Sequence, residues 1–181
     1  PISTLLPYTT LFRSLLKDCK MVKSDIITFL KRIDLFRDLN RSELKKLAES
    51  VREKQYTTGD YLFLENTVRE NIYLIHSGEV ELLKREPFGN EVRLALFSNG
   101  DFLGEGIWDN GSMHSTSART CKEARVFEIS HPESLKPATA LKILSNVTKV
   151  MSQRMRNVNN QLLNLSTQYA SGKTRTEHDL L

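Results

Sequence analysis

Cysteine is scarce in this chain. Cys19 and Cys121 stand far apart, which excludes a disulfide framework and a metal site of paired thiols. No apolar run approaches the ~20 residues of a membrane-spanning helix, and the N-terminus has no basic stretch followed by an apolar one. The four histidines (His76, His114, His131 and His178) lie in unrelated segments, so no nucleophile, base and orienting group meet at a readable spacing. Neither sign of charge dominates: 26 basic and 22 acidic residues are interspersed, which argues against a dedicated nucleic-acid surface. These absences predict a cytoplasmic, non-enzymatic segment without metal, cofactor or membrane. What remains is ordinary globular material, 39% hydrophobic over 181 residues, enough for one domain with appendages.

The two ends differ from the middle. Pro1–Ser14 has neither helical period nor strand alternation and resembles the translation of a sequencing adapter. Residues 1–20 are therefore expected to be a non-native leader, with Met21 as the natural start; a disordered tail is the alternative. Residues 21–136 read as one domain and 137–169 as a long C-terminal helix. Residues 170–181 read as a linker and the start of a further, downstream domain.

From Asp25 to Arg37, Ile26, Ile27, Phe29, Leu30, Ile33, Leu35 and Phe36 give an apolar face at helical spacing. Asn40, followed three residues later by Glu43, predicts a capping box opening a second helix, with Leu44, Leu47, Ala48 and Val51 as its buried stripe. From Lys54 the period becomes two. Glycines at 59, 78, 89, 100 and 104 punctuate expected strands over Tyr61–Leu64, Asn71–Ser77, Glu79–Lys84, Glu91–Phe97, His114–Ala118 and Ala124–Ile129. Short strands at this spacing predict a jelly roll or small barrel. His131-Pro132 closes it. In the long helix, Leu141, Ile143, Leu144 and Val147 are expected to pack on the barrel. Met151, Met155, Val158, Leu162, Leu165 and Tyr169 then form a heptad-like seam beyond it.

Within this pattern, Gly100-Asp101-Phe102-Leu103-Gly104-Glu105 leads through a short helical turn to His114-Ser115-Thr116-Ser117-Ala118. Glycines four apart let the backbone turn and be approached closely, and Glu105 can accept hydrogen bonds from hydroxyls. On spacing alone, an ordinary loop between two strands fits equally well. The run resembles the phosphate-binding cassette of cyclic-nucleotide-binding domains, the fold of the catabolite activator protein and of kinase regulatory subunits. Leu35-Phe36 with the short polar turn and capped helix that follow, Gly59-Asp60 before Tyr61, and Ile72–Val80 resemble the same family in order, over about residues 24–165. The resemblance implies a mainly β architecture with flanking helices: a double-stranded β-helix or jelly roll, an N-terminal helical bundle and a long C-terminal helix. It implies a site at Gly104, Glu105, Gly106, His114, Ser115 and Thr116, with Glu105 on a ribose hydroxyl. The implied ligand is cAMP, cGMP or another small anion, and the implied assembly is a homodimer through the C-terminal helix.

Several departures stand out. His114 occupies the position of the family's phosphate-clamping arginine, and a histidine of ordinary pKa (~6.5) is only partly charged near pH 7. Gly106 and Trp108 replace aliphatic and small residues, and Asp109 adds negative charge. Arg119 lies an odd number of residues from His114, so in a regular strand it faces the other way. His76 reads as a surface residue at a strand end, and Asn66 stands where the family has glycine, a mild change because asparagine tolerates a left-handed backbone. Three readings follow: a sensor that moves its C-terminal helix, a ligand-less dimerisation scaffold, or the effector half of a transcription regulator that touches nucleic acid only through a missing downstream domain. Thr174–Leu181 resembles the opening of aspartate ammonia-lyases, which adds the expectation of a fused enzyme.

Overall fold

The computed structural model describes residues 21–108, 111–130 and 135–178, with side chains up to Tyr169. The leader, Asp109, His131-Pro132 and the side chains of the lyase-like tail lie outside the described residues. Where a helix over Asp25–Arg37 is expected, the chain instead forms α1 (Lys23–Leu30), a turn, and a short 3-10 segment (Asp34–Phe36). Ile33 is extended at the break (φ −80°, ψ 126°), and this bend lets residues from both sides of it point inward. Leu30, Ile33, Leu35 and Phe36 are essentially inaccessible. At about 1.5–3 kcal/mol per fully buried side chain, that burial outweighs the lost helical hydrogen bonds.

Asn40 opens α2 (Arg41–Glu49) with the predicted capping box: its side chain accepts from the backbone N–H of Ser42 and Glu43, while Glu43 accepts from the N–H of Asn40. Leu44, Leu47 and Ala48 are buried, but Val51 is not part of this stripe and begins β1 (Val51–Tyr56). The chain continues through β2 (Tyr61–Phe63), β3 (Asn71–Arg85), β4 (Glu91–Phe97), β5 (Phe102–Leu103), a 3-10 turn (Glu105–Trp108) and β6 (Ser117–Ser130). Two expected pairs of short strands are thus single long ones, and the second begins only at Ser117, which leaves His114 outside it. Gly78 bends β3 without ending it, with φ +92° and a register shift against β6 on either side.

All strand pairings are antiparallel. The order is β1-β6-β3-β4, with β2 on β6 and β5 on β3. Among the described residues β1 and β4 do not pair, so the sheet is rolled like a jelly roll but not closed. Alternate residues of β3 and β6 serve two cores. Ile72, Leu74, Phe127 and Ile129 meet the helices, while Tyr73, Ile75, Ala124 and Val126 fill the roll. His76 is half-buried within β3 rather than at a strand end: its ring lies 5.1 Å from Phe29 and 5.3 Å from Phe127, at the joint between α1 and the sheet.

Helix α3 (Pro137–His178) docks on the 3-10 segment through buried Ile143, and Asn146 donates to the carbonyl of Leu35 (3.3 Å). Lys142 and Thr139 both reach Glu43 and so tie α3 to the cap of α2. Leu141, expected to pack here, is 67% exposed because it faces away from Ile143. The helical backbone continues through Gly172, where a linker is expected; a glycine costs a helix only about 1 kcal/mol. No helix among the described residues is long and apolar enough to cross a membrane, and no cluster of metal-ligating side chains occurs among them.

Candidate functional site

The cassette is built on β5, which pairs with Tyr73 and Leu74 of β3 and delivers Gly104 to the sheet's inner end. Gly104 is left-handed (φ +83°), and a Cβ there would lie 2.3 Å from the carbonyl oxygen of Asn71. Only glycine fits this close approach. The chain then turns through Glu105–Trp108, and a cross-strand ribbon closes the loop. Val68 pairs with Met113, His114 donates its N–H to the Thr67 carbonyl (2.8 Å), and Arg69 donates to the Ser112 carbonyl (3.2 Å). Asn66, left-handed at φ 64°, starts that ribbon, as its side-chain type allows.

Glu105 is occupied by the protein itself. Arg154 of α3 donates to its Oε1 (3.2 Å) and to the carbonyl of Phe102 (2.8 Å). The same guanidinium lies over the rings of Phe102 and Phe97, 4.8 and 5.3 Å from their centroids. The long helix is thereby clasped to the cassette at the carboxylate expected to take a ribose hydroxyl.

His114 stands inside the roll, 4% exposed and stacked on Phe63 with ring centroids 3.8 Å apart. Burial, followed by the nearby Arg69 charge, pushes its pKa down to about 4, so the ring is neutral near pH 7. Its Nε2 has no hydrogen-bond partner, nor does the buried Nε1 of Trp108. Ser115 is exposed in the bend after His114, and its carbonyl accepts from Lys84 (2.8 Å); Thr116 beside it is half-buried. Arg119 is paired with Glu81 and Glu91, and the regular strand assumed between it and His114 is broken by the bend at Ser115-Thr116. A groove of about 1040 Å³ lies between α1 and α2 and is lined by residues such as Lys31, Leu39 and Arg41; none of the cassette groups lines it.

Two arginines that sequence reasoning passes over therefore reach the cassette. Arg154 sits one position from the seam residue Met155, so periodicity hides it in a polar stripe. Arg69 precedes β3 in an apparently solvated loop. Its Nη1 donates to Ser112 Oγ (2.9 Å), and a Cβ added to Gly106 would lie 2.1 Å from that nitrogen. The absence of a side chain at Gly106 is what admits the guanidinium.

Residues 53–136 match the family model of the cyclic nucleotide-binding domain. The CRP-like cAMP-activated global transcriptional regulator of Mycobacterium tuberculosis is 28% identical over 139 residues, 75% of this chain and 61% of that protein. Among solved structures, the regulatory subunit of a cAMP-independent protein kinase A from Trypanosoma brucei superposes with a TM-score of 0.63 at 23% identity, over 72% of this chain and 47% of that one. The corresponding subunit from Trypanosoma cruzi, solved bound to guanosine, gives 0.56 at 21% identity over 60% and 38%. The chain thus spans no more than 61% of the length of these relatives. The rolled sheet with its cassette turn, the capped helix before it and the helix clasped over it agree with the match of residues 53–136 to the cyclic nucleotide-binding domain family.

Proposed function

We propose that this chain is a regulatory sensor module that binds a nucleotide-like ligand (cAMP, cGMP or another small anion) at the cassette and passes its occupancy to α3. The observation that carries this reading is the Arg154–Glu105 contact. A ribose donating to Glu105 competes with Arg154 for the same carboxylate. The pair is partly exposed, with side chains 30% and 22% accessible, so holding it together contributes only on the order of 1 kcal/mol. A ligand can therefore displace Arg154 and release the part of α3 beyond it, where residues 156–169 are exposed. The cAMP-activated relative and the guanosine-bound neighbour support a ribose-bearing ligand.

Calorimetric titration of the chain with cAMP, cGMP and guanosine, repeated on Arg154→Ala, tests the reading. Freeing Glu105 should tighten binding about fivefold, and ligand should speed amide exchange in α3 beyond residue 154. Unchanged affinity in Arg154→Ala would remove the coupling. No binding by either protein would leave the scaffold.

A second proposal, a homodimer, has its own observation. Met155, Val158, Leu162, Leu165 and Tyr169 are each more than half exposed along the seam. Leu94 and Leu96 of the edge strand β4 are also exposed, a second apolar surface for the same partner copy.

A further inference from the structure

We propose that Arg69 is the anion clamp of this cassette, replacing the cation that position 114 lacks, and that the site accordingly takes a phosphate-bearing nucleotide in preference to an uncharged nucleoside. This rests on the sensor reading above and adds the ligand's charge and the residue that recognises it.

The ribbon geometry makes the case. Thr67 is opposite His114, Val68 opposite Met113 and Arg69 opposite Ser112. Successive pairs alternate faces, so Arg69, Ser112 and His114 share one side. Val68 and Met113, 56% and 57% exposed, take the solvent side. Arg69 is then the diagonal neighbour of His114, within reach of a long side chain. A cation lost from one strand has an equivalent on the strand beside it.

The guanidinium is also uncommitted. Among the described residues no carboxylate pairs with Arg69, whereas Arg119 is held by Glu81 and Glu91, Lys84 by Glu65 and Arg154 by Glu105. Its polar contacts are Ser112 Oγ at 2.9 Å and a long approach of 3.5 Å to the Gly106 carbonyl. A guanidinium has five N–H donors, so most remain for an anion. It rests against Gly106, the residue that follows Glu105, so that ribose acceptor and phosphate donor would flank the same turn. The buried His114 Nε2 on the same face has no partner and supplies a neutral polar atom beside the charge. Gly106 is integral to the arrangement: a Cβ would overlap Nη1 at 2.1 Å and Cζ at 2.6 Å.

The test compares cAMP with adenosine and cGMP with guanosine on the unaltered chain and on Arg69→Lys, Arg69→Gln and Arg69→Met. The unaltered chain should prefer the cyclic nucleotide roughly 10- to 100-fold, a preference that weakens with added NaCl. Arg69→Met should abolish the preference while keeping nucleoside binding, and Arg69→Lys should keep part of it. If Arg69→Met loses its cooperative thermal transition, Arg69→Gln makes the same comparison with a polar, uncharged side chain. Equal affinity for nucleotide and nucleoside in the unaltered chain, or a preference that survives in Arg69→Met and Arg69→Gln, overturns the assignment and leaves the sensor reading standing. A folded chain that binds none of the four compounds overturns both.

Discussion

A histidine stacked on phenylalanine and sealed from solvent has a consequence for stability that its exposed counterpart lacks. In the unfolded chain His114 takes up a proton near its ordinary value of 6.5, whereas in the fold it does so only near 4, and the unfolded state binds more protons between these limits. Its contribution to stability is therefore fully present above about 6.5 and is lost as pH falls toward 4. His114→Phe removes this slope while keeping an aromatic stack on Phe63. Thermal melts at pH 7 and pH 4 should show a larger loss in the unaltered protein than in the variant, by a few kcal/mol at most. Equal losses would mean that His114 gains solvent or a partner before the chain unfolds. The same burial disfavours a charge at position 114: a cation stacked on Phe63 there would be desolvated without an ion pair.

At the scale of elements, the β3–β6 pair is the frame on which the cassette hangs. Its bend depends on Gly78, which is left-handed and packed so closely that a Cβ would lie 2.3 Å from the Glu123 carbonyl oxygen and 2.7 Å from the Ala124 Cβ. The neighbouring atoms are backbone of a paired strand and cannot swing aside. Gly78→Ala should cost about 2–3 kcal/mol in a denaturant melt. The loss should be shared by any ligand readout, because β3 also holds β5 in place. Gly59, Gly89 and Gly100 are left-handed too, but a Cβ there meets nothing within 4 Å, so alanine at those positions should cost less. A Gly78→Ala variant as stable as the parent would show that the bulge can slide along β6.

For the whole molecule, the central strands are buried on both faces while β4 and the second half of α3 leave their apolar residues in solvent. Val92, Leu94 and Leu96 alternate along β4 as a half-buried strand should, yet all three are exposed. A second copy covering both surfaces, as proposed above, would account for this exposure. Sedimentation should find a dimer, and Leu162→Glu combined with Leu165→Glu should yield a folded monomer. A monomeric parent protein would sink the homodimer reading and leave the seam unexplained.

Local features were legible in the sequence. The Asn40–Glu43 capping box and the bounds of β4 each depend on residues a few positions apart. Short-range sterics and hydrogen bonding settle them with little help from the rest of the chain. The tertiary structure alone decided which apparent breaks are bends within one strand, because Gly78 matters only against Glu123 across the sheet. It also decided the interior of the site. His114 loses its solvent to Phe63, Arg69 enters through the space left by Gly106, and Arg154 arrives on a helix some fifty residues after Glu105. Burial and charge pairing are properties of a place in space, and chain distances of this size carry no periodic signal that names the partner.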